Sequence, residues 1–313
     1  MVKAGITVVG NTNLDIIVAD TRELPAPGTE TVVPGISIRL GGSAGNLAVR
    51  CAGLELTTRL VSRVGDDSSL LILEAELDRP RLESHLLRTA GTVSGMTVAV
   101  EAPGQDRAFL SSLGPMAAMS PSDVAEQMLE SSFLALAGYF LLPGLQGHAL
   151  LELFQRAKAA GAQTVLDTGW PPQGWTDETR TEVLLTMDEV DIFLPNDDEL
   201  HGLAGHTNTE RAARELAVST DTLVVVKMGA RGAGVATPLG EWFECPAAPV
   251  PVIDSTGAGD GFNAAFLVSL ERGAAMAHAL AAAVEYATKM VSTIPEERAD
   301  VPLRRIPAAA VQL

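Results

Sequence analysis

Short apolar runs alternate with amphipathic ones along most of this chain. Gly5–Gly10 is apolar and ends in glycine, the pattern of a strand buried on both faces. Asn46–Leu54 takes helical spacing, Leu60–Val64 returns to strand and Leu70–Leu77 to helix. The rhythm continues with Phe133–Ala137 (strand), Gly147–Ala160 (helix), Thr164–Asp167 (strand), Ile192–Leu194 (strand), Thr209–Val218 (helix) and Thr222–Lys227 (strand). Helices alternating with β-branched runs predict an α/β fold, a mostly parallel sheet covered by helices on both faces.

Two stretches break the rhythm. Ile16–Ile38 carries Pro25, Pro27 and Pro34, with strand-like alternation in Thr31–Val33 and Ile36–Ile38. Thr92–Val100 and Arg107–Ser111 alternate around the turn Ala102–Asp106. These segments predict a small accessory antiparallel sheet, inserted at about 14–40 and 90–112 in a chain otherwise read as one domain over 1–313. The Ala-rich helix Ala274–Ala287 has side chains small enough for close packing.

The chain has 313 residues, 47% of them hydrophobic and 19% charged, as a globular protein does. Aromatics make up only 4%, so Leu, Val and Ala must fill the core. A formal net charge of −17 argues against nucleic acid or an anionic membrane as partner. The two cysteines, Cys51 and Cys245, make neither a disulfide framework nor a zinc site, and His201 and His206 lack ligand spacing. The N-terminus enters a strand directly, and no apolar run nears the ~20 residues of a membrane span. A cytoplasmic location is the expectation.

The chemistry concentrates in Asp254–Leu270, DSTGAGDGFNAAFLVSL. Glycines precede an apolar helical run, and a helix N-terminus leaves N–H groups that hold phosphate oxygens. Asp260 at that junction is an unwelcome anion unless it accepts a proton from an attacking hydroxyl. The N–H groups of Gly257, Ala258, Gly259 and Asp260 form the anion hole in this reading. The plainer alternative is a helix cap and a turn. Asn196 and Glu199 share a face of a helical turn, where they can orient water on Mg²⁺ or simply cap the helix. Asn13 and Asp15 after the first strand, with Gly41, Gly42 and Asn46, offer donors and acceptors for vicinal hydroxyls, or turn chemistry. Lys227 ends a strand before Gly229 and Gly232, placed to neutralise phosphate or to reach solvent.

Asp254, Thr256, Gly257, Gly259, Asp260, Phe262 and Ala265 together resemble the C-terminal signature of the ribokinase-like (PfkB) carbohydrate kinases. GGSAGNLAVR at Gly41–Arg50 is similar to that family's N-terminal motif. VVGNTNLD at Val8–Asp15, PNDDE at Pro195–Glu199 and VVVKMGARGAG at Val224–Gly234 follow in family order. The resemblance implies a doubly wound ribokinase-like sheet with a β-sheet lid over the sugar, a lid that often pairs two subunits. It implies ATP and Mg²⁺ as cofactors, a small sugar or sugar acid as acceptor, and Asp260 as base. It assigns Asn13, Asp15, Gly41, Gly42 and Asn46 to substrate, and Asn196, Lys227, Gly229, Gly232 and Thr256 to nucleotide. Glu199 serves Mg²⁺ through water, and Asp254 with Thr256 matches a monovalent cation (K⁺) site. Two departures stand out. No glycine follows Gly273, where relatives carry a glycine loop shaping the adenine pocket and cation site, and Asp167–Trp170 reads DTGW where relatives have Asp-Pro-Asn.

A nucleoside kinase of the same family is the alternative. It needs a platform for its base. Asn11–Gly42 has no aromatic side chain, and the second lid segment has only Phe109. A non-catalytic sugar sensor has no use for Asp260 beside an anion hole. No P-loop and no dinucleotide fingerprint is present.

Overall fold

The structure, a computed structural model, describes residues 5–18, 21, 25–100 and 108–304. The expected turn Ala102–Asp106 and Arg107 lie outside these. In chain order the elements are β1 (Ile6–Gly10), β2 (Asn13–Val18), β3 (Ile36–Gly41), α1 (Ser43–Gly53), β4 (Thr58–Gly65), α2 (Ser69–Leu77), β5 (Leu82–Thr89), β6 (Met96–Val100) and β7 (Ala108–Ser112). Then come α3 (Glu126–Leu129), β8 (Phe133–Ala137), α4 (His148–Ala159), β9 (Gln163–Asp167), α5 (Asp177–Thr186), β10 (Ile192–Phe193), α6 (Asp197–Ala204) and α7 (Thr209–Thr220). The last are β11 (Leu223–Lys227), β12 (Ala233–Ala236), β13 (Trp242–Cys245), α8 (Ala258–Glu271) and α9 (Met276–Val291).

The large sheet has nine strands in the order β13-β12-β11-β10-β9-β8-β1-β4-β5. From β5 to β11 every pairing is parallel; β12 and β13 join antiparallel. Successive side chains of a strand face opposite ways. Ile6 and Val8 therefore enter one core with Ala44, Leu47, Phe262 and Phe266, while Val9 enters the other with Phe154, Leu200 and Leu216. The near-continuous apolar strands read from the sequence are this two-faced burial.

The second sheet has four strands in the order β3-β2-β6-β7. The expected accessory sheet is there, with two differences. Its central pair, β2 and β6, is parallel, whereas only antiparallel strands were expected. Thr31–Val33 forms no strand, and Val32 is 91% exposed. Alternation there had no partner strand to pair with. The strand expected from Thr92 starts only at Met96, because Ser94 is turned away to Asp67, donating from N at 2.9 Å and from Oγ at 2.7 Å.

Other elements carried weak signals. β5 lies at the sheet edge with none of its residues fully buried, and α5 opens on polar residues. β12 is only four residues, and Gly234 has no Cβ because the Trp242 ring occupies that space at 2.1 Å. Helix α1 begins at Ser43, three residues before the expected Asn46, so the glycine pair Gly41–Gly42 is the strand-to-helix junction itself.

Candidate active site

The functional candidates hang from the C-terminal ends of the parallel strands. In open α/β sheets that is where ligands bind, beside the point where strand order reverses. Here the reversal lies between β1, from which the chain runs out to β4 and β5, and β8, from which it runs the other way. At this seam Gly138 follows β8 so tightly against Asn11 that a Cβ would lie 2.1 Å from Asn11 Oδ1.

One cluster gathers where β2, β3 and α1 meet. Register sets Asn13 opposite Gly41 and Asp15 opposite Arg39. Asn13 Nδ2 donates to Asp15 Oδ1 at 2.8 Å and to Thr97 Oγ1 at 3.3 Å. A Cβ on Gly41 would lie 2.0 Å from Asp15 Oδ1, so glycine there is the room the carboxylate occupies. Gly42, at φ 84°, caps α1, and a Cβ there would lie 2.8 Å from Asn13 Oδ1. The pairings Asp15–Arg39, Asp15–Thr97 and Thr97–Ser111 align one polar row across the small sheet, with Thr97 and Ser111 hydroxyls 3.0 Å apart. Arg39, Thr97 and Ser111 were not singled out from sequence; only the pairing register reveals them.

A second cluster surrounds Asp260 in the first turn of α8. Asn46, one turn into α1, hydrogen-bonds its carboxylate and joins the two clusters. Asp260 keeps part of its surface open, yet desolvation and the Asp167 carboxylate push its pKa up to about 7 against Lys227, Arg50 and the Asn46 bond. Lys227 at the end of β11 donates from Nζ to Asp167 Oδ2 at 3.1 Å and to Asn263 Oδ1 at 3.3 Å. Asn263 in turn donates to Asp167 Oδ2 and is fully buried. Burial opposes the Lys227 charge, but Asp167, Glu199 and Asp260 outweigh it and raise its pKa. Lys227 is thus a largely enclosed ammonium among carboxylates, not an exposed strand end. Asp167 and Asn263 were missed as site residues. Asn263 had a signal: it is the lone amide inside the apolar run of α8.

Asn196 and Glu199 form a reciprocal capping box at α6: Glu199 N donates to Asn196 Oδ1 and Asn196 N to Glu199 Oε2, both at 2.8 Å. The helix-capping alternative is therefore realised. Glu199 is also 6% exposed, and burial, then Asp167, raise its pKa while Lys227 and the Asn196 N–H lower it. Arg231 secures the neighbouring Asp197 at 2.7 Å. Gly232 (φ 100°) lies where a Cβ would be 2.0 Å from Cys245 O, and Gly229 (φ 57°) opens the same turn.

At the entrance to α8, Asp254 Oδ1 accepts from Thr256 N (2.8 Å) and Oγ1 (2.7 Å), while Asp254 Oδ2 faces Arg39 at 3.3 Å and Arg298 at 3.5 Å. Gly257 caps α8 at φ 69°. Ala258 N donates to Ser255 O at 3.2 Å, so its N–H closes the turn. First-turn N–H groups such as those of Gly259 and Asp260 have no carbonyl to bond within the helix. Among the described residues no group of three His, Cys, Asp or Glu side chains is placed to hold a metal ion.

Comparison with known proteins gives the family and the fold. A profile described as pfkB family carbohydrate kinase matches residues 3–294. The chain is 26% identical over 287 residues to the 5-dehydro-2-deoxygluconokinase of Bacillus licheniformis, covering 86% of this chain and 84% of that one. It is 29% identical over 289 residues to the aminoimidazole riboside kinase of Salmonella typhimurium, covering 88% and 84%. The structure of Arabidopsis thaliana ribokinase complexed with ribose and ATP superposes with a TM-score of 0.79 at 24% identity, covering 95% of each chain.

Proposed function

From the chain's membership of the pfkB family of carbohydrate kinases, we propose that it transfers the γ-phosphoryl group of ATP to a hydroxyl of a small sugar or sugar acid. The observation that carries this reading is Asp260: a carboxylate in the first turn of α8, held by Asn46, with its pKa raised to about 7. A base titrating near neutrality is matched to taking a proton from an alcohol.

In the proposed step the acceptor oxygen attacks the γ-phosphorus, and its proton passes to Asp260. The new O–P bond forms as the bond to the β-phosphate oxygen breaks, and ADP leaves with the electron pair. The developing charge falls on the N–H groups of Gly257, Gly259 and Asp260, the Ala258 N–H being engaged with Ser255. Lys227 faces the same turn: a Cβ on Gly259 would lie 4.0 Å from its Nζ. Asn13, Asp15 and the row Arg39–Thr97–Ser111 present hydroxyl-binding groups, so the small sheet serves as the sugar's lid. Its exposed apolar residues Ile38 and Leu110 suit a second copy of the chain. Gly229, Gly232, Asn196 and Thr256 border the nucleotide in this reading.

Magnesium fits Glu199. The side chain is buried where its charge is disfavoured, so a nearby cation gains from it, and Mg²⁺ takes few protein ligands and keeps its waters. Bound with ATP, the ion neutralises phosphate charge.

The test is ADP release against a panel of sugars, sugar acids and nucleosides, with Asp260→Asn beside the native chain. We expect one sugar or sugar acid to turn over and the variant to lose about 10²–10⁴-fold in kcat. A variant within a few-fold of the native rate removes Asp260 as base. Turnover confined to nucleosides moves the substrate class, and tight sugar binding without ADP release replaces the enzyme with a sensor.

A further inference from the structure

The loop leading to the base is anchored by a buried arginine. Arg298 lies in the short helical turn Pro295–Asp300 and is 2% exposed. Its Nε donates to Met290 O at 2.9 Å and Thr293 O at 3.1 Å. Its Nη1 donates to Thr256 O at 2.8 Å and stands 3.5 Å from Asp254 Oδ2. Its Nη2 donates to Asp254 O. Alongside, Ile253 N donates to Val291 O at 2.8 Å. Arg50, whose charge also acts on Asp260, donates to Arg298 O at 3.2 Å.

Backbone carbonyls converging with a carboxylate are surroundings that suit a cation. Left buried without a partner, each such oxygen would cost free energy. Here one guanidinium serves them, and its planar fork bonds the approach to α8 and the end of α9 at once. Thr256 directly precedes Gly257, the cap of α8, so this knot sets how the first turn is aimed. The expected monovalent cation site at Asp254 and Thr256 does not fit a dissociable ion while Arg298 engages these oxygens.

We propose that Arg298 is a built-in cation that stands in for a dissociable monovalent ion and holds the anion-binding turn in its working orientation. Turnover is then independent of potassium. The proposal rests on the kinase reading, and Arg298 is a positioning residue that acts through Asp254, Thr256 and Gly257.

The experiment compares the native chain in potassium, sodium and choline chloride at equal ionic strength, by ADP release and by thermal melting. The expected result is one rate and one melting temperature in all three salts. Saturable activation by potassium, or a melting temperature that climbs with potassium but not choline, overturns the proposal. Arg298→Ala should lose about 10²-fold in kcat, as when a reacting group shifts by about 1 Å, with the acceptor KM little changed. Potassium or millimolar guanidinium should restore part of that rate, as should Arg298→Lys. A folded Arg298→Ala chain with native kcat, or with a loss that no cation or lysine relieves, counts against it. If no acceptor turns over in any salt, the kinase reading fails, while the melting comparison still decides the role of Arg298.

Discussion

In the proposed step Asp260 acts only when deprotonated, yet its surroundings favour the proton. Burial and Asp167 oppose its charge; Lys227, Arg50 and Asn46 relieve only part of that. Two consequences follow from one pKa near 7. The ratio kcat/KM should rise with pH through about 7 and level off above it, as read from a pH–rate profile. Stability should move the other way. Between about pH 4 and about pH 7 the folded chain keeps a proton that the unfolded chain has released, so stability falls as pH rises through that window. Asp260→Asn should therefore melt higher than the native chain at pH 8, by about 1–2 kcal/mol, with the gain vanishing near pH 4. Asp260 and Asn46 stood out as candidates in the sequence because glycines precede them at the start of a helix, and Asn13 and Asp15 because they follow the first buried strand. Asp167 and Arg298 were not. A strand-end aspartate and an arginine in a charged tail look like surface groups until the fold buries them.

The junction of β3 with α1 shows how an element can shape a pocket by omission. Gly41 closes the strand where the Asp15 carboxylate fills the space a Cβ would take, 2.0 Å from Oδ1. Gly41→Ala should displace Asp15 and raise the acceptor KM by about 10–100-fold, the worth of one hydrogen bond to a charged group. Its kcat should change less, since Asp260 hangs from a different helix; steady-state kinetics separates the two. Helices and buried strands were readable because their periodicity reflects burial. The edge strand β5 and the short β12 were not, since pairing with a neighbour defines them more than their own pattern does. The same limit produced the false strand at Thr31–Val33.

The nine-stranded sheet divides the interior into two cores with little in common. Helices α1, α8 and α9, which carry Asn46, Asp260 and the Met290 carbonyl that meets Arg298, pack on one side. Phe154 of α4 lies fully buried on the other. Phe154→Ala should cost about 3–5 kcal/mol by denaturant titration while leaving KM unchanged in the chain that remains folded. The alternating pattern made this layered plan legible. The meeting of distant segments was not, because register and crossovers have no local signature.

The span from Asn13 to Arg298 also orders events in time. A chain made from its N-terminus builds the strands of the polar row first. The base arrives with α8, and the arginine that aims its turn arrives after α9. A ribosome-bound chain stalled before residue 295 would carry the polar row and Asp260 but lack Arg298, the guanidinium between them and the end of α9. On the proposed reading, full activity is thus the last property this fold acquires, and a chain ended before residue 295 would keep only a small fraction of its turnover.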